Sequence, residues 1–82
     1  MGIKKDERFG REDIYVDYPF EEVMFRWDHK DRKVYRKFYD KAESGPVPPD
    51  NNLYNEALRF GDEIQRDAYI AGKRGSPHNR NS

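Results

Sequence analysis

The chain has no cysteine among its 82 residues. That excludes a disulfide scaffold, a thiolate metal site and a cysteine nucleophile together. No apolar run approaches the roughly 20 residues of a membrane-spanning helix, and the stretch from Met1 to Arg11 lacks the hydrophobic core of a signal peptide. Serine is scarce. Ser44, Ser76 and Ser82 complete the set, and each falls where the sequence reads as linker or tail. The two histidines, His29 and His78, occupy a predicted turn tip and that same tail. A catalytic nucleophile or base must be held by neighbours, and nothing in this inventory assembles such a group. Gly45, Gly61, Gly72 and Gly75 are scattered rather than gathered into a phosphate-cradling loop. Asp28, His29 and Asp31 lie close together, but a four-residue turn cannot wrap a cation without further donors. The expectation is a non-enzymatic cytoplasmic chain with no cofactor, no metal, no membrane segment and no evident small-molecule ligand.

An excess of one charge is missing as well: 16 Lys and Arg balance 16 Asp and Glu. The balance conceals segregation. Residues 25–37 carry six Lys or Arg against Asp28 and Asp31. The flanking residues 11–24 and 50–72 are acidic. A composition of 34 % hydrophobic and 39 % charged residues stands near the border of disorder, and 15 % aromatic residues draw it back. A chain this short buries only about 60 to 65 % of the surface its unfolded form exposes, so one modest core is expected.

The stretch Val23 to Tyr39 organises that core. Bulky and charged residues alternate on both sides of the tetrad Asp28 to Asp31, the pattern of a two-stranded hairpin with one buried face. An even-length turn centred on His29 and Lys30 pairs Trp27 with Arg32, Phe25 with Val34 and Val23 with Arg36. A one-residue slip would scatter the apolar set across both faces. The predicted inner face holds Val23, Phe25, Trp27, Val34 and Phe38, with Arg36 as the charged intruder. The outer face holds Met24, Arg26, Lys33, Tyr35, Lys37 and Tyr39.

The rest of the chain builds around this hairpin. From Asp13 to Tyr18, Ile14 and Val16 alternate with Tyr15 as in a strand, which Pro19 ends. Ser44, Gly45, Pro46, Pro48 and Pro49 read as a stiff extended crossover. Asp50 is a good N-cap, with Asn51 or Asn52 as substitutes. Leu53, Ala57, Phe60 and Ile64 then follow at helical spacing, with Leu58 beside them. Gly61 ends or weakens that helix, so a break and a short second helix over Arg66 to Ala71 fit the pattern too.

The fold class expected is therefore α+β: a small single domain in which an antiparallel β-meander (hairpin 22–39 plus strand 13–18) is packed by a C-terminal helix (about 51–71). Residues 1–11 read as a mobile N-terminus, 12–72 as one β-β-β-α domain, and 73–82 as a disordered basic tail without a single apolar side chain.

Function then falls to surfaces. The exposed hairpin face and the helix suit docking on a protein partner, as in an inhibitor, adaptor or accessory subunit, because tyrosine and arginine give large contact area with a polar handle. The partner-binding residues predicted are Arg26, Lys33, Tyr35, Lys37 and Tyr39. The alternative is a nucleic-acid-binding module in which the same cations meet phosphates and the rings stack on bases. Acidic flanks and a sequence pI near 6.7 favour the protein partner.

Overall fold

The computed structural model describes residues 7–74. Strands β1 (Ile14–Tyr18), β2 (Val23–Asp28) and β3 (Lys33–Phe38) form the antiparallel meander that the alternating pattern dictates. The hairpin register pairs Trp27 with Val34, Phe25 with Arg36 and Val23 with Phe38, two residues from the expected pairing. The turn is responsible. It spans His29 to Arg32, its start fixed by the Asp28 carboxylate, which accepts the backbone N–H groups of Lys30 (3.0 Å) and Asp31 (3.1 Å). A shift of two preserves the faces, so the apolar set still lies together.

Two short strands widen the meander into a five-stranded antiparallel sheet of order β4-β3-β2-β1-β5. β4 (Ser44–Val47) lies in the expected crossover and pairs with β3 across an irregular register between Val34 and Arg36. Its one proline, Pro46, is tolerated because an edge strand bonds on one side. Gly45, at φ +128°, passes so close to β3 that an added Cβ would sit 3.3 Å from the Val34 carbonyl oxygen.

The expected single helix over 51–71 is a helix, a strand and a helix. α1 (Asn52–Phe60) starts at Asn51, whose side chain accepts the Tyr54 N–H at 3.0 Å, so the cap is one residue beyond Asp50. α1 stops at Gly61, where an added Cβ would lie 2.6 Å from the carbonyl oxygens of both Ala57 and Asp17. β5 (Asp62–Ile64) then pairs with β1, and α2 (Arg66–Ala71) runs to Gly72 at φ +76°. The buried stripe of α1 is Tyr54, Ala57 and Leu58, whereas Phe60, in its last turn, is 61 % exposed.

The sheet is covered on both faces. Under α1 lie Ile14, Val16, Tyr18, Val23, Phe25 and Val34, with Tyr54 meeting Phe25 edge-on at 5.4 Å. Trp27 and Leu53 flank this core as partly buried residues, and Phe38 is exposed at its margin. On the other face Met24, Tyr39 and Tyr69 form a second core with Tyr15 and Ile64. The expected solvated hairpin face is thus half covered, because the break at Gly61 sends α2 across the sheet.

The ordered domain also starts earlier than expected. A 3₁₀ turn over Glu7–Gly10 inserts Phe9 beside Trp27 at 5.9 Å between ring centroids, and the Trp27 indole donates to the Phe9 carbonyl. Arg8 bonds Glu63 of β5 at 2.7 Å. At the other end Lys73, expected in the tail, accepts the Asp40 N–H on its carbonyl at 2.9 Å. The mobile N-terminus expected at residues 1–6 and the disordered basic tail expected at residues 75–82 lie outside the described residues. Among the described residues no helix is long and apolar enough to cross a membrane.

Candidate functional site

The outer face of the hairpin is where the sequence placed a docking surface, and the structure resolves its five residues into different roles. Arg26, on β2, reaches Glu43 through Nε at 2.9 Å and a second nitrogen at 3.2 Å, a forked carboxylate bond. It also touches Asp28 at 3.3 Å and lies over the Tyr35 ring at 4.4 Å. The hydrogen bond to Glu43 raises the Arg26 pKa against the opposing effect of burial. Burial works against the Glu43 charge too, yet the bonds from Arg26 and the Tyr69 hydroxyl hold the carboxyl below its ordinary value. Arg26 is therefore a structural cation, spent on the crossover and α2.

Lys37 is committed in a similar way. Its Nζ donates to the carbonyls of Tyr69 (2.9 Å) and Ile70 (3.0 Å), the end of a helix where cations are favoured. Tyr39 is buried, and its hydroxyl donates to Asp17 at 2.7 Å. Burial first and the Asp17 carboxylate second push that phenol's pKa up. Asp17 is 2 % exposed and also takes Lys73 as its counter-ion, so a buried charge is paired from both sides. Lys33 and Tyr35 keep part of their surface, exposed and half-buried respectively. A polyanion-binding face needs free cations, and two of the three predicted here are occupied internally.

An open cleft of about 560 Å³ lies along this face between Tyr15, Arg26, Lys37, Arg66 and Tyr69. At its edge His29 faces Asp13, Nδ1 to Oδ1 at 2.7 Å, with the His29 N–H on the same oxygen at 3.0 Å. Among the described residues no serine lines the cleft. Among the described residues no cluster of three or more His, Asp or Glu is arranged for a metal ion.

The opposite kind of surface lies at the end of the sheet where β1 turns into β2. Among the described residues the exposed large apolar side chains are Phe20, Phe38, Phe60 and Ile70. Phe20 belongs to the turn Pro19–Glu21, and Phe38 faces Val23 across the hairpin. Sequence reasoning assigned Phe38 and Phe60 to the core by periodicity, and it did not single out Phe20. The Pro19-Phe20 step, an aromatic residue just beyond a strand-ending proline, was the available signal.

Three comparisons bear on these surfaces. The model of the Tis1 immunity protein family matches residues 1–73. The immune protein Tis1 of Pseudomonas aeruginosa (strain UCBPP-PA14) is 53 % identical over 73 residues, covering 88 % of this chain and 95 % of that protein. A chain in the crystal structure of the complex between the type VI effector Tas1 and its immunity protein superposes with a TM-score of 0.88. It is 50 % identical and covers 92 % of this chain and 100 % of that one.

Proposed function

From the premise that this chain belongs to the Tis1 immunity protein family, we propose that it binds a type VI effector of the Tas1 kind and neutralises it by occupying its surface, with no chemistry of its own. The observation that carries this reading is the near-complete superposition on a chain of the Tas1–immunity complex. The family and the fold agree with a binding role: a sheet covered on both faces, and a cleft in which Arg26 and Lys37 are held by internal partners. The encounter belongs in the cytoplasm, a setting in which a chain free of cysteine loses nothing. Lys33 and Tyr35, the hairpin residues least engaged internally, contribute peripheral contacts.

The test mixes purified Tas1 with this protein in a titration calorimeter and, separately, co-expresses the two in cells. The expected outcome is one-to-one binding tighter than roughly 10⁻⁷ M and restored growth of cells expressing Tas1. No detectable heat together with no protection sinks the reading.

A further inference from the structure

We infer that the end of the molecule bearing Phe20, Phe38 and Phe60 is the surface that grips the effector, at an apolar patch ringed by lysine or arginine. The inference rests on the reading of the chain as an effector-binding protein and names the site of that contact. Its first support is contrast. Val23, Met24, Phe25, Val34 and Ala57 are 0 % exposed, while Phe20 is 81 %, Phe60 61 % and Phe38 38 % exposed. Single exposed apolar residues are ordinary, but rings gathered at one end are not.

That they are gathered follows from neighbour to neighbour. The Phe20 ring lies 6.1 Å from that of Tyr18. The Tyr18 hydroxyl bonds Glu56 of α1 at 3.4 Å. Phe60 is one helical turn beyond Glu56 and so on the same side of α1. Phe38 closes the group from β3, opposite the first residue of β2.

The patch is also built to bind cheaply. Its backbone is fixed by the Glu22 N–H on the Pro19 carbonyl (3.0 Å) and the Tyr39 N–H on the Glu22 carbonyl (2.9 Å), so little ordering remains to be done on association. Guanidinium groups lie over two of the rings, Arg36 at 5.1 Å from Phe38 and Arg59 at 5.4 Å from Phe60. Aromatic and arginine side chains dominate binding hot spots.

Charge specifies the partner. The rim carries Glu21, Glu22, Asp40 and Asp62 against Lys41, all but Glu22 exposed, while the guanidinium groups of Arg36 and Arg59 lie over the rings inside it. An acidic rim around an apolar centre complements a basic rim around an apolar depression. Beside Phe38 a shallow hollow of about 280 Å³, bordered by Glu21, Glu22 and Lys41, has room for one long side chain of the effector, with two carboxylates against one ammonium to favour a cation.

The experiment titrates purified Tas1 with the parent protein, Phe20→Ser/Phe60→Ser, and Glu21→Lys/Asp62→Lys, at about 0.05 M and 0.5 M salt. Both variants alter exposed positions and are expected to melt within about 4 °C of the parent. The phenylalanine variant is expected to lose about 100-fold or more in affinity at both salts. The charge variant is expected to lose about tenfold at low salt, with the gap closing at high salt. Parent-like binding by both variants overturns the surface and leaves the effector reading standing. Failure of the parent itself to bind Tas1 overturns the effector reading and this inference with it. A parent that dimerises, and that the serine substitutions make monomeric without weakening Tas1, assigns the patch to a second copy of the chain and likewise overturns it.

Discussion

Glu43 accepts from two donors on separate elements, Arg26 of β2 and Tyr69 of α2, so one carboxylate ties the crossover to both. Its folded pKa lies below the ordinary 4.5. A depressed carboxyl contributes stability that is complete above the unfolded value and is lost as pH falls through the folded one. Glu43→Gln is therefore expected to cost about 1 to 2 kcal/mol at pH 7, discounted for partial exposure. That is a melting point lower by roughly 5 to 10 °C. The difference should shrink as pH drops from about 4.5 toward 3. Thermal melts of both proteins across that window check it, and an unchanged gap at pH 3 refutes the ionic account. Nothing in the sequence pointed to this residue. Arg26 and Lys37 were legible as cations on the outer hairpin face, but their partners lie 17 and 32 residues away, and periodicity carries no information about such pairs. Tyr39 was placed on the correct face for the same reason that it was misjudged: alternation tells which side a residue takes, not what covers that side.

At the scale of elements, Gly61 decides the topology. It lets α1 end against β1 closely enough for β5 to pair there, and every larger residue meets backbone rather than a yielding side chain. In a free helix Ala is favoured over Gly by about 1 kcal/mol, so intrinsic propensity predicts that Gly61→Ala stabilises. The geometry predicts the opposite sign: a loss of about 2 to 3 kcal/mol from overpacking. A lowered urea midpoint is the expected result, and a raised one would show that the chain can reopen the junction without strain. The three central strands and their faces were readable because period-two alternation is strong and turn residues are local. The break at Gly61 was readable as an alternative, and with it the short helix over Arg66 to Ala71. β4 and β5 were not. Four and three residues long, they are too short to display a period, and β4 carries a proline that argues against a strand.

Over the whole molecule, the N-terminal turn and the sheet act as one body. Phe9 reaches the first core from a segment whose charge and glycine content gave no periodic signal, and a lone apolar residue cannot announce its own burial. Phe9→Ala is expected to cost about 3 kcal/mol, somewhat less than a central core ring because a margin can collapse. Trp27 emission should shift with it, since the rings are 5.9 Å apart. Native-like denaturation with an unchanged emission maximum would mean that the turn detaches without consequence. A protein partner was legible from the tyrosine and arginine content of the hairpin, whereas its identity needed relatives, since no motif in 82 residues names a partner. The sheet's two borders bear on how that partner can be held. On one side the outermost strand is four residues long and contains Pro46, with Pro48 just beyond; on the other it is three residues long. Among the described residues neither border is long enough to template another strand of ordinary length. Recognition by strand addition, which reads backbone and tolerates sequence change, is disfavoured at both of these borders. What remains is a contact written in side chains, so that a few substitutions on either protein can redraw which partner is refused and which is held.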